Sequence, residues 1–167
     1  MLITKNAEIH IDSTPTEIWK YAHDPANWTA SNPKEHLGLR FLNKKNRPEE
    51  GVAFHQKETV AGLYADLRGH ILYVDYPNVL VWRGVARYKL FLGIIRVRIP
   101  EGGVLRIKVE SDGSLVSHKV YMDFPDTLFG KLLYWLFTTI LEGEKAVFDH
   151  TYRELEFFKK QLEHHKV

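Results

Sequence analysis

The strongest constraint on this chain is a series of six alternating runs joined by very short connections. The runs cover residues 36–43, 52–60, 66–76, 79–89, 103–111 and 115–124. Each repeats apolar and polar positions with a period near two, as half-buried strands do. Parallel neighbours would need crossovers of a dozen residues or more, so the runs must pair antiparallel. Turn signals separate them: Asn46-Arg47-Pro48 with Gly51, Ala61-Gly62, Tyr76-Pro77-Asn78, Glu101-Gly102-Gly103 and Ser111-Asp112-Gly113-Ser114. The last, with Asp-Gly between two alternating runs, is a strong hairpin signal.

A further strand precedes them. In residues 2–12, Ala7, Ile9 and Ile11 face one way and Glu8, His10 and Asp12 the other. A helix start follows, with Ser13 or Thr14 as cap, Pro15 in the first turn and Glu17 at the positive helix end. That helix carries Ile18, Trp19, Tyr21 and Ala22 and stops near Asp24-Pro25. A second short helix or turn holds Trp28 and ends before Asn32-Pro33.

After Phe124-Pro125-Asp126 no proline interrupts the sequence up to His164, and helix formers dominate. A straight helix of that length would span roughly 57 Å. A kink is therefore expected, with Gly130 and Gly143 as candidate points. Leu133, Leu136, Ile140, Gly143, Val147, Thr151, Leu155, Phe158 and Leu162 form one stripe to be buried. Glu144, Lys145, Arg153, Glu154, Lys159 and Lys160 are expected largely outside it. The apolar segment from Thr127 to Leu141 is interrupted by Lys131 and falls short of the ~20 residues of a membrane-spanning helix, so it reads as a buried helix. The fold class is α+β: a curved antiparallel sheet of about seven strands around a long C-terminal helix, with two short helices after the first strand.

Length and composition narrow the function. A chain of 167 residues suits one domain, 1–167. A net charge of +2 is too small to imply nucleic acid. There is no cysteine, which excludes disulfides, thiol nucleophiles and Cys-based zinc sites. The N-terminus lacks the layout of a signal peptide, so a cytoplasmic location is expected. No motif demands a cofactor. His150 and Glu154 lie four apart on the helix, a spacing that suits a metal, but no third ligand is evident and no metal is expected.

One face of each strand must meet the helix. That face carries Val116, His118, Val120, Met122 and Phe124 in one strand. Leu80, Trp82, Gly84, Ala86 and Tyr88 lie on a second, and Val52, Phe54, Gln56, Glu58 and Val60 on a third. An apolar surface with a few convergent polar groups suits a small-molecule pocket. Phe54, Trp82, Tyr88, Trp135 and Ile140 are expected to line it, and His118 to orient a polar head. Glu58 is expected at an edge or exposed, since unpaired buried carboxylates are rare. Small residues at Gly84 and Ala86 leave volume, either for a close helix or for a cavity.

From Tyr76 through Pro100 there is no acidic residue, while Arg83, Arg87, Lys89, Arg96 and Arg98 accumulate around the apolar run Leu90 to Ile95. The run should lie at a strand end or in a loop. Peripheral membrane contact through Arg83, Arg87, Lys89, Phe91, Ile94, Ile95, Arg96 and Arg98 is one reading; a dimer patch or a buried extra strand are the others.

The order of elements resembles the helix-grip fold of the START and Bet v 1-like (SRPBCC) superfamily along essentially the full chain. The opening Ala7-Glu8-Ile9-His10-Ile11-Asp12-Ser13-Thr14-Pro15-Thr16-Glu17-Ile18-Trp19 is similar to the start of bacterial polyketide cyclase/dehydrase-like members. Asp24-Pro25-Ala26-Asn27-Trp28 resembles their post-helix turn, and Tyr76-Pro77-Asn78-Val79-Leu80-Val81-Trp82-Arg83 their turn-then-strand segment. Phe124-Pro125 followed by Leu128 to Leu162 resembles their closing helix. The resemblance implies a binding or carrier protein for a small hydrophobic ligand such as a lipid, isoprenoid or polyketide. The alternative is an enzyme of the cyclase/dehydratase kind; the resemblance assigns no catalytic residue, but the ordinary near-neutral pKa of histidine suits His118 for acid/base work, helped by Tyr88 or Glu58. A membrane-surface or protein-interaction module using 83–98 is the third reading.

Overall fold

A computed structural model describes residues 1–90 and 95–164. Strand β1 (Leu2–Ile11) leads into helices α1 (Pro15–Ala22) and α2 (Pro25–Ser31). Then follow β2 (His36–Phe41), β3 (Ala53–Val60), β4 (Leu63–Asp75), β5 (Val79–Leu90), β6 (Ile95–Glu110) and β7 (Gly113–Asp123). The chain closes with α3 (Leu128–Trp135), a π-helical turn (Leu136–Ile140) and α4 (Gly143–His164). All strand pairs are antiparallel, in the order β1-β7-β6-β5-β4-β3-β2. This is the helix-grip architecture expected from the sequence.

Local chemistry accounts for the starts and stops. Thr14, rather than Ser13, caps α1: its Oγ1 accepts from Glu17 N, and Glu17 Oε2 accepts from Thr14 N at 2.9 Å. Asp24 caps α2 through Ala26 N at 2.9 Å. The Asp112-Gly113 signal forms the β6–β7 hairpin, with Glu110 paired to Gly113.

Glu101-Gly102-Gly103 is not a turn. Strand β6 runs through it, and Glu101 is buried in mid-strand. The two glycines give way to large neighbours: a Cβ at Gly102 would lie 2.5 Å from the Tyr121 ring, and one at Gly103 would lie 2.6 Å from Trp82 Nε1. Close approach of this kind is the other common role of glycine in a strand. The same reasoning settles Gly84. The space beside it is taken by Leu67 and the Arg68 carbonyl, and Ala86 is fully buried in the core, so neither residue opens a cavity.

The C-terminal helix is broken at one of the two expected points. Between the π-helical turn and α4, Glu142 adopts a φ of 47°, and Gly143 lies directly against the Phe137 ring. Gly130 lies inside α3 and is needed there for a different reason. A Cβ would come within 1.9 Å of the Pro125 carbonyl oxygen. Helix α3 is also less covered than its sequence suggests, since the sheet meets only one of its sides. Leu133 and Phe137 face the core beside Phe124, whereas Leu128, Phe129, Leu132, Trp135 and Ile140 are half or more exposed. No helix among the described residues is long and apolar enough to cross a membrane.

Buried side chains form two groups. One, around Phe54, Leu67, Tyr88, Ile99 and Phe137, lies towards α3. The other, around Ile11, Trp19, Ile107, Leu155 and Phe158, lies under α1 and the second half of α4. Helix propensity alone would make Gly130→Ala stabilising by about 1 kcal/mol. The Pro125 contact reverses the sign, and the variant should lose about 2 kcal/mol, read as a thermal midpoint several degrees lower. An unchanged or raised midpoint would mean that α3 does not pack on Pro125 in this way.

Candidate functional site

Between the two groups of buried side chains the sheet turns several polar side chains inward. Strand β2 begins with His36, which pairs across the strands with Glu58 of β3. Strand β7 contributes His118 from the same face as Val116 and Met122. Helix α4 contributes His150 and Glu154, one turn apart. All five are buried.

These groups converge. His36 Nε2 lies 2.9 Å from His150 Nε2 and 3.2 Å from Glu154 Oε1, and His150 Nε2 lies 3.4 Å from that same oxygen. The other Glu154 oxygen is 3.0 Å from His118 Nδ1. Glu58 Oε2 stands 3.8 Å from His36 Nε2 and 3.7 Å from His150 Nε2, and it accepts from Gln56 Nε2 at 2.7 Å. A ring of outer partners fixes the imidazoles. His36 Nδ1 bonds the Trp28 carbonyl, and His150 Nδ1 bonds Glu35 Oε2 at 2.6 Å. Glu35 is held in turn by Arg153 Nη2 at 2.9 Å and Asn32 Nδ2 at 2.6 Å.

Charge follows this geometry. Burial would raise the Glu154 carboxyl, but its bonds to His118, His150 and His36 hold it well below the usual carboxylate range. Burial opposes a charge on His150, yet the carboxylates of Glu154, Glu35 and Glu58 push it up to about 10. Burial likewise opposes a charge on His36, and Glu154 outweighs it. The bond to His150 holds Glu35 near 2.

A second polar pair sits deeper. Tyr88 of β5 donates to Glu101 of β6 at 2.6 Å, and both are buried. Burial, then the Glu58 charge, raises Glu101 to about 8. Burial also raises the Tyr88 hydroxyl well above its ordinary value. At neutral pH the pair is therefore a protonated carboxyl joined to a neutral phenol.

Both sets border a cavity of about 120 Å³, whose other walls include Phe54, Leu67, Trp82 and Val120. A second cavity of about 230 Å³ lies between the β5–β6 end of the sheet and α3, with walls such as Leu63, Val97, Phe124 and Phe137. Tyr88 and Met122 border both cavities and stand between them.

Of the residues expected to hold a ligand, Phe54, Trp82, Tyr88 and His118 meet at the first cavity. Ile140 borders the second, and Trp135, about half exposed, borders neither. Two expectations about charge fail. Glu58 is buried at 5% exposure because His36 lies beside it, and Glu154 is buried at 3% because three histidines surround it. His36, Glu35 and Glu101 carried no sequence signal that singled them out. The His150–Glu154 spacing was visible, and its partner His36 stands 114 residues before His150.

The basic segment forms the β5–β6 ladder. Arg83, Arg87, Lys89, Arg96 and Arg98 are exposed on its outer face, opposite the buried Ala86, Tyr88, Val97 and Ile99. Ile95 is the first residue of β6; Phe91 and Ile94 lie outside the described residues.

No family model matches the sequence, and no curated protein matches it. Solved structures do. The di-domain ARO/CYC protein StfQ from the steffimycin biosynthetic pathway is similar at a TM-score of 0.70 and 10% identity, covering 99% of this chain and 52% of that one. A START superfamily protein from Mycobacterium smegmatis matches at a TM-score of 0.59 and 15% identity, covering 96% and 98% of the two chains. Ginseng major latex-like protein 151 from Panax ginseng matches at 0.55 and 10% identity, covering 87% and 97%. At these identities the likeness is one of fold.

The Glu101 shift makes stability depend on pH. Its folded pKa of about 8 stands above the ordinary 4.5, so the folded state holds a proton that the unfolded state gives up. The contribution is whole below about 4.5 and is lost as pH rises through about 8. Thermal melts of Glu101→Gln and wild type should differ by a constant at low pH. Between those two values the variant should gain on wild type. A difference that does not vary with pH would place Glu101 in water.

Proposed function

We propose that the chain binds a small, mainly apolar molecule that carries one polar group. The observation behind this reading is the division of the interior. Polar groups gather at the first cavity, and a second, apolar cavity lies on the other side of Tyr88 and Met122. Either cavity alone is below the roughly 300–1,000 Å³ of a drug-sized pocket. A compact ligand would fill the first; a longer one would move Met122, a flexible side chain, and extend into the second. The polar group would meet Tyr88–Glu101 or the histidine cluster, and Trp82 and Phe54, in edge-to-face contact at 5.8 Å, would cover the apolar body.

A second reading is an acid–base enzyme using the same cavity. It is favoured by the protonated Glu101 bonded to Tyr88, which together could deliver a proton to a bound carbonyl or hydroxyl. That one fold relative is described as an ARO/CYC protein of a biosynthetic pathway agrees with it at the level of analogy.

Native mass spectrometry and organic extraction of freshly purified protein test the binding reading. An apolar compound in near-stoichiometric amount is expected. Trp82→Ala should then weaken its binding by about tenfold or more, equivalent to roughly 1.4 kcal/mol, and lower stability by less than that. Loss of stability equal to the loss of binding would make Trp82 a core residue only. A protein that purifies empty favours the enzyme.

A further inference from the structure

We propose that His36, His150 and Glu154, with Glu58 as a longer fourth ligand, form a binding site for a divalent transition metal of the zinc type. The proposal stands apart from whatever fills the apolar cavity. The three nearer residues offer donor atoms that lie within 4.8 Å of one another. Tetrahedral zinc with bonds near 2.0–2.1 Å places its ligand atoms about 3.3–3.4 Å apart. Separations of 2.9, 3.2, 3.4, 3.7 and 3.8 Å among these four side chains bracket that value. Two imidazoles with carboxylates suit zinc or cobalt, whereas calcium and magnesium take oxygen ligands.

The outer partners point the same way. A carbonyl oxygen only accepts, so His36 Nδ1 must carry a proton to bond Trp28 O. His150 Nδ1 donates in the same manner to Glu35. Nε2 is then the atom each ring has left to hold a cation, and these are the two atoms that face each other. At that distance they repel unless a proton or a metal ion lies between them, and a bound metal would take the place of the proton. A histidine whose far nitrogen is held by a carboxylate or carbonyl is the usual outer shell of a metal site. His118 fixes the second oxygen of Glu154 and leaves the first to face the rings.

Three near donors and a distant fourth leave one position that can exchange. Glu58 Oε2 already has an alternative partner in Gln56, and Glu58 borders the first cavity. A carbonyl or hydroxyl oxygen of a bound molecule could take its place, as substrate does in zinc sites with three protein ligands.

Cobalt(II) titration of chelator-treated protein, followed by its visible spectrum and by competition with zinc, tests the site. The expected result is saturation near one equivalent with the intense bands of tetrahedral cobalt, reversed by zinc. His36→Gln and His150→Gln should each weaken binding by more than about a hundredfold. Glu35→Gln, which alters a part-exposed outer partner and keeps the donors, should weaken it about ten- to a hundredfold. His164→Gln/His165→Gln should bind as wild type. The proposal is overturned if wild type takes no cobalt, or if its bands are weak and octahedral. It is also overturned if binding survives His36→Gln unchanged or disappears with the terminal histidines.

Discussion

One buried carboxylate holds this architecture in its working form. Glu154 receives histidines from three separate elements: His36 from β2, His118 from β7 and His150 from its own helix. These strands lie well apart in the sheet order, so the helix is tied across the concave face. A buried charge without partners would cost several kcal/mol, and breaking a buried pair typically costs about 3–5 kcal/mol. The cluster is therefore a strong condition on how α4 sits in the sheet. Apolar packing of Leu155 and Phe158 supplies the driving force for that contact, and the polar cluster fixes its register.

The same constraint shapes the interior. Helix α4 is held by polar bonds near its middle, so the first cavity is bordered there by the histidine cluster, while the second lies towards the β5–β6 end and α3. The break at Leu141–Gly143 lets α3 turn away from the line of α4 and cover that space with Leu133 and Phe137. The first cavity thus combines acid–base groups with apolar walls, the second is almost wholly apolar, and Tyr88 and Met122 stand between the two.

The fold was legible because its signals are local. Alternation gave β7 and placed His118 inward; the Asp112-Gly113 pair gave the hairpin, and Glu142–Gly143 broke the helix where a glycine stood. Where local signals misled, packing was the reason. Gly102 and Gly103 read as a turn, but they make room for Tyr121 and Trp82 inside a continuous strand. The polar cluster was hidden for a related reason. Glu154 reads as a solvent-facing helical residue because its burial is offset by partners from β2 and β7, and no pattern within α4 reports them. Glu101, beside two glycines, reads as a loop residue until Tyr88 is seen to bond it.

Glu154 joins the helix to the sheet through its histidines. A double-mutant cycle of His118→Asn and Glu154→Gln, read as unfolding free energy, measures one of those bonds directly; glutamine keeps the size of the side chain and removes its charge. A coupling energy of about 1–3 kcal/mol between the two positions is expected. Additivity within about 0.5 kcal/mol would show instead that the pair does not hold the helix.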